Sequence, residues 1–149
     1  MGRVFLGGDH AGTDLRALLK RALAEWGHEV VDLGTDSHEP VDYPDYAVLV
    51  GERVAAGEGV GVLVCGTGIG VDMAANKIAG VRSARATDSY SARMSRAHND
   101  ANVLCLGARV TGEGLALEIV KAWLETPFEG GRHQQRVDKL NRLDRRGKP

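Results

Sequence analysis

Gly61-Val62-Leu63-Val64-Cys65-Gly66-Thr67-Gly68-Ile69-Gly70-Val71-Asp72 carries the pattern on which the fold of this chain turns. Val62 to Val64 form a short apolar run with the composition of a buried strand. Cys65 ends the run, and glycines at 66, 68 and 70 follow at every second position. Glycine at that spacing lets the backbone turn sharply and present several N–H groups in one concave patch. Val71 to Lys77 suit the first turns of a helix. The unit is therefore a strand, an anion-cradling turn and a helix start, with a thiol at the strand's mouth. A helix start stabilises negative charge through its free N–H groups and its dipole. It also favours the thiolate of a nearby cysteine. On this reading the stretch is a reaction centre for an anion, with Cys65 as its reactive group. A plainer reading stands beside it. GTGIG matches neither the phosphate-loop lysine motif nor the full dinucleotide fingerprint, and a cysteine closing an apolar strand is more often a small core residue.

Working outward, the same strand–glycine–helix rhythm recurs. Arg3 to Gly8 reads as a first strand, followed by Asp9, His10 and a helix with Leu15, Leu18, Leu19, Ala22, Leu23 and Trp26 on one face. Val30 to Leu33 is a second strand, and the polar stretch 35–44 is a loop. Asp45 is placed to cap a helix running to about Ala56, with Tyr46, Ala47, Val50 and Val54 inward. The helix after Gly70 is expected to stop near Gly80, with Val81 to Ala86 a fourth strand. Asp88 or Thr87 then caps a helix over Ser89–Ala97, and Val103 to Leu106 is a fifth strand. Thr111 is placed to cap a long helix with Leu115, Ile119, Ala122 and Trp123 inward. Gly130-Gly131 is a hinge, and a last helix runs from Arg132 to about Leu143.

Five strands separated by helices predict a five-stranded parallel sheet wrapped on both faces, a Rossmann-like three-layer α/β/α sandwich. In such sheets ligands bind beyond the carboxyl ends of the strands. Asp9 and His10, Cys65, and Arg109 all follow such ends.

Composition agrees with one domain over residues 1–149, at 43% hydrophobic and 26% charged residues. Cys65 and Cys105 show neither metal spacing nor a disulfide framework, so a reducing cytoplasm is expected. The first residues offer no secretory pattern, and no apolar stretch approaches membrane-spanning length. A net charge of −1 excludes a global nucleic-acid footprint. From Arg132 onward seven Lys/Arg face two Asp, a local +5 that leaves −6 for the remainder. Residues from about 144 to 149 are expected to be a flexible basic tail.

The segments GGDHAG (Gly7 to Gly12), DYPDYA (Asp42 to Ala47), CGTGIG with AANK (Cys65 to Gly70, Ala74 to Lys77), HNDANVLCLGARV (His98 to Val110) and the pair Arg132/Arg136 occur in this order. Through them the chain resembles the B-type ribose-5-phosphate isomerases, in the sugar-phosphate isomerase family that includes the galactose-6-phosphate isomerase subunits. The resemblance implies aldose–ketose interconversion of a phosphosugar without metal or organic cofactor. Such chemistry needs a base of useful strength near neutrality and donors for an enediolate oxygen. It implies Cys65 as proton acceptor, with the amides of Gly66, Thr67, Gly68, Ile69 and Gly70 as the oxyanion hole and the Thr67 hydroxyl as a further donor. His98 becomes the proton donor for ring opening, Asn99 and Arg109 sugar contacts, and Asp9 and His10 contacts to ring oxygens and the phosphate end. Arg132 and Arg136, four apart, project from one helix face and become a phosphate clamp. The resemblance also implies a homodimer whose site is shared across the interface, the last helix reaching toward its partner, with further assembly to a tetramer left open.

Two positions depart from the pattern. Some members carry a glutamate base where this chain has Val71, so the chain falls in the cysteine branch. Asp72 stands where a small polar residue such as serine is common, and an acid there adds negative charge near the thiol. Plainer roles exist for the others: a solvated cap for His98, a turn former for Asp9, an exposed strand-end charge for Arg109 and a solvated basic helix for the arginine pair. Competing functions are isomerisation of a tetrose or hexose phosphate (allose or galactose 6-phosphate, for example) and a non-catalytic phosphate- or nucleotide-binding module. The module leaves Cys65, His98 and the arginines as coincidences. A redox role for Cys65 lacks a resolving cysteine nearby in sequence.

Overall fold

The computed structural model describes residues 2–145, without the Arg145 side chain; 146–149, most of the expected basic tail, lie outside the described residues. The strands are β1 (Arg3–Gly8), β2 (Glu29–Asp32), β3 (Val60–Cys65), β4 (Ser83–Arg85) and β5 (Val103–Gly107). The helices are α1 (Thr13–Glu25), α2 (Tyr43–Ala55), α3 (Ile69–Ala75), α4 (Ser89–Ala97), α5 (Glu113–Glu125) and α6 (Arg132–Arg142). Short 3-10 turns follow β1 (His10–Gly12) and α6 (Leu143–Arg145). The five strands pair in parallel in the order β2-β1-β3-β5-β4.

Strand alternation builds two cores, one on each face of the sheet. Val4, Leu6, Val62, Val64, Leu104 and Leu106 meet α1, α4 and α5 around the fully buried Trp123. Phe5, Leu63, Cys65, Val103 and Cys105 face the other way, against Ala47, Val50 and Val54 of α2 and Val71 and Ala75 of α3. The predicted three-layer sandwich is the observed one.

Several element ends differ from expectation, each for a local reason. Helix α2 begins at Tyr43 behind Asp42, with Pro44 in its first turn, where the missing N–H costs nothing. Helix α3 stops at Ala75 rather than near Gly80. The Asn76 side chain leaves the helix axis and binds Ser83 twice, accepting its N–H at 2.9 Å and donating to its carbonyl at 3.0 Å. That contact starts β4 at Ser83, two residues later than predicted, and Val81 is buried instead against the α2/α3 layer. Thr111 does not cap α5. Gly112 is the N-cap, Thr111 is buried, and the inner face is Ala116, Ile119, Val120 and Trp123, leaving Leu115 exposed. A cap is worth about 1 kcal/mol. Burying each large apolar side chain contributes roughly 1.5–3 kcal/mol, so packing sets the helix phase. Asp88 caps α4 as predicted, accepting from the Ser91 amide at 2.6 Å.

The order in which strands are added reverses between β1 and β3, which lie side by side in parallel while their following helices pack on opposite faces. This opens a crevice at their carboxyl ends. Gly8 makes the approach possible: with φ +151, a Cβ there would lie 1.9 Å from the Val64 carbonyl oxygen.

Candidate active site

Three strand ends meet at the crevice. After β1, Asp9 is buried and caps the following turn, its Oδ1 accepting the Ala11 amide at 3.0 Å. His10 Nδ1 accepts the Val41 amide at 3.1 Å. In the neutral ring that leaves the proton on Nε2, so His10 presents a donor outward. The loop carrying Val41 is tied down by Arg16, which is 2% exposed and lies on the inner face of α1. Its guanidinium pairs with Asp32 at 2.8 Å and donates to the Thr35 carbonyl, and the Thr13 hydroxyl donates to the Ser37 carbonyl at 3.0 Å.

After β3, Cys65 is 4% exposed and its Sγ accepts the Gly68 amide at 3.2 Å. The Thr67 hydroxyl accepts the Ile69 amide at 3.2 Å, which leaves its own proton free to donate. Two of the five amides expected to form the oxyanion hole are thus engaged inside the loop, and those of Gly66, Thr67 and Gly70 remain for that role. Gly68 has φ +79 and packs on β5, where a Cβ would lie 2.8 Å from the Leu106 carbonyl carbon. After β5, the Ala108 and Arg109 amides donate to the carbonyls of Cys65 and Gly66 at 2.8 and 3.0 Å. The Arg109 guanidinium lies over Gly66, within 3.2 Å of where a Cβ would stand.

Asp72 does not point its charge at the thiol. Its Oδ1 accepts the Ser83 hydroxyl at 2.7 Å, and Ser83 Oγ lies 3.1 Å from Cys105 Sγ. Burial raises the Asp72 carboxyl above the usual carboxylate range, against the pull of the Ser83 hydroxyl and the Arg85 charge. Cys105 is fully buried, and burial pushes its thiol well above the ordinary value, with Asp72 and Cys65 adding to the rise against the Ser83 hydrogen bond.

The other predicted residues gather elsewhere. His98 ends α4 and stacks on His133, with ring centroids 4.2 Å apart and planes 10° apart. Its Nε2 lies 3.6 Å from Glu129 Oε2. A cavity of about 400 Å³ is lined by His98, Asn99, His133, Arg136, Val137 and Leu140. Arg132 stands at the start of α6 on the same side, and burial, His98, Arg132 and Arg136 together lower the His133 value, with Glu129 opposing. His98, Glu129 and His133 hold ligand atoms within 4.8 Å of one another. The rings lie parallel, however, so their in-plane lone pairs run side by side instead of converging, and two arginines flank them. The trio is a poor metal cage, and the positive charge on this side comes from the arginines.

This second cluster lies at the opposite end of the sheet. Helix α4 starts beyond the carboxyl end of β4 and runs back, and Asn102, just past His98, accepts the Gly61 amide at the amino end of β3. Cys65 pairs with Gly107 at the carboxyl end. Five residue steps of strand from Asn102 to Gly107 separate the two levels by ~16 Å. Proton transfer works over about 3 Å, so one chain does not bring Cys65 and His98 to one sugar carbon. Within a chain the structure unites Asp9, His10, Cys65, the glycine loop and Arg109, and separately His98, Asn99 and Arg136. A further cavity of about 560 Å³ between β4 and α6 includes Arg82, Asn99 and Asn141 but none of the acid–base groups.

Four residues with positional roles escaped the sequence reading: Arg16, Arg85, Glu129 and His133. Arg16 carried a signal, since it lies three and seven residues before the inward Leu19 and Leu23. His133 carried one too, four before the inward Val137. Arg85 and Glu129 carried none.

The fold, with its crevice at the β1 and β3 ends, is one shared with solved aldose–ketose isomerases. The chain belongs to the ribose/galactose isomerase family, whose model matches residues 4–140. It is 49% identical over 147 residues to ribose-5-phosphate isomerase B of Escherichia coli, covering 98% of this chain and 99% of that one. Among solved structures it is similar to ribose-5-phosphate isomerase B of Clostridium thermocellum, with TM-score 0.94, 49% identity and coverage of 95% and 97%. The Mycoplasma genitalium enzyme with bound ribulose-5-phosphate gives TM-score 0.94, 40% identity and 97% coverage of both chains. No helix among the described residues is long and apolar enough to cross a membrane.

Proposed function

We propose that this chain interconverts ribose 5-phosphate and ribulose 5-phosphate through an enediolate, as a homodimer whose two sites are each built from both subunits. The observation that carries the reading is Cys65 Sγ at the crevice, with the Gly68 amide directed at it. That N–H is aimed where the charge of a thiolate base would sit. Val71, in the position of the alternative base, is fully buried and does not titrate.

In the proposed reaction the Cys65 thiolate takes the proton from the carbon beside the aldehyde and returns it to the former carbonyl carbon. A second proton passes between the two oxygens, so atoms balance. Charge on the enediolate oxygen is met by the free loop amides and the Thr67 hydroxyl. The partner's copy of His98 protonates the ring oxygen for opening, beside Asn99. Arg132 and Arg136 of that same second chain hold the phosphate together with the His10 Nε2–H, while Asp9 and Arg109 hold sugar hydroxyls.

Two copies are needed because His98 and Cys65 face opposite ends of one sheet. Exposed apolar surface lies beside each half: Ile69 (45% exposed) and Met73 (63%) next to the glycine loop, and Leu140 (44%) next to His98. A symmetric contact that laid one against the other would cover both and complete two sites.

A second reading keeps the site and changes the sugar, since the matching family is described by both ribose and galactose isomerases. The test is a panel of aldose phosphates of four to six carbons, followed by NMR for the ketose product. Fastest turnover of the pentose supports the proposal, and a faster hexose or tetrose selects the second reading. No turnover of any member overturns both.

A further inference from the structure

Arg85 closes the edge strand β4, with its guanidinium in solvent and its Nε donating to the Thr67 carbonyl oxygen at 2.8 Å. The same peptide unit supplies the Gly68 N–H that meets Cys65 Sγ at 3.2 Å. No peptide bond among the described residues is cis, and in a trans peptide the C=O and N–H point in opposite directions. Arg85 and Cys65 therefore hold the two ends of one rigid plate.

The orientation of that plate is otherwise weakly determined. Turning it over changes ψ of Thr67 and φ of Gly68, and glycine accepts either sign of φ at little cost. Turned over, the plate would aim a carbonyl oxygen at the sulfur and oppose the thiolate. Its neighbour on β5, Gly107, packs so closely that a Cβ would stand 2.6 Å from the Thr67 oxygen, which leaves the carbonyl room but no donor. The donor is Arg85. That hydrogen bond is the one side-chain contact between Arg85 and the loop among the described residues.

We propose that Arg85 is a positioning residue for Cys65, fixing the Thr67–Gly68 peptide so that its N–H points at the sulfur. The inference rests on the assignment of Cys65 as base.

The test compares wild type with Arg85→Met and Arg85→Lys in three measurements. Amide hydrogen exchange of Gly68 reads the peptide directly. Alkylation by iodoacetamide reads Cys65, because Cys105 is fully buried. Turnover of ribose 5-phosphate reads kcat against KM. Arg85→Met is expected to speed Gly68 exchange and to slow alkylation and kcat by about tenfold, the scale of one charge-assisted hydrogen bond, with KM nearly unchanged. Arg85→Lys, which keeps a cationic donor, recovers part of each. Unchanged Gly68 exchange in Arg85→Met overturns the proposal, whatever happens to turnover. A separate Cys65→Ala control keeps the two claims apart. Retained turnover there defeats the base assignment, while exchange at Gly68 still decides the placement by Arg85.

Discussion

Cys65 pairs with Gly107 at the carboxyl end of the sheet, whereas His98 closes α4 four residues before Asn102, which meets Gly61 at the amino end ~16 Å of strand away. Catalysis that uses both must draw them from two chains. Cys65→Ala and His98→Ala homodimers are each expected to be nearly inactive. Unfolding and refolding the two together should restore about a quarter of wild-type activity, because half of the dimers are mixed and each mixed dimer has one intact site. A mixture that stays inactive would return both residues to a single-chain scheme.

Cys65→Ser keeps the size of the side chain and replaces the thiol by a far weaker acid. Loss of a general base typically costs about a hundredfold to ten-thousandfold, and a loss in kcat of that order is expected. Binding of ribulose 5-phosphate, measured by calorimetry, should change little.

Arg136 lines the His98 cavity and Arg132 stands one turn before it. Arg136→Ala should raise KM for a phosphosugar by roughly 10- to 100-fold, the worth of a charge-assisted hydrogen bond of about 1.5–3 kcal/mol. Since the phosphate is remote from the reacting carbons, kcat should hardly move. An unchanged KM would leave the arginine as a solvated charge.

His133 is kept below the ordinary histidine value of 6.5, first by burial and then by His98, Arg132 and Arg136. A folded value lower than the unfolded one means that the folded state binds fewer protons between the two. Stability is then complete above pH 6.5 and falls as the solution is acidified through the lowered value. His133→Phe can still stack on His98 and does not titrate. Its melting temperature should fall less than that of wild type between pH 7.5 and pH 5.5, as calorimetry can follow.

Asp72 carries the opposite sign. Burial raises its folded value above 3.8, so its ionisation opposes folding. That penalty grows as pH rises past 3.8 and is in full force above the raised value. Asp72→Asn retains an acceptor for Ser83 and should melt higher than wild type at pH 7. The difference should vanish toward pH 3.

Most of the architecture could be read from local pattern, because period-two strands and 3.6-period helices report which side is buried. The residues after β1, β3 and β5 could be placed together for the same reason: parallel strands send their ends to one edge. The position of His98 was implicit in the same rule, since a helix joining two parallel strands runs back and sets the residue that ends α4 at the far edge, but the residue's type alone does not say so. Helix phase failed at Leu115, where a fully buried Trp123 outweighed a cap that Thr111 could have supplied. Arg85 could not be found at all. Its importance depends on the orientation of a peptide eighteen residues away.

Asn76 has a consequence for how two copies can meet. Of the three residues of β4, Ser83 and Arg85 turn their backbone groups away from β5, and Asn76 occupies both groups of Ser83. An edge strand normally invites another strand to continue the sheet, a route to uncontrolled polymerisation. Here a side-chain amide mimics that extra strand for one residue and then stops. Two copies are thereby discouraged from fusing along this edge, and a partner is left the helices and loops, where the two halves of the proposed site lie.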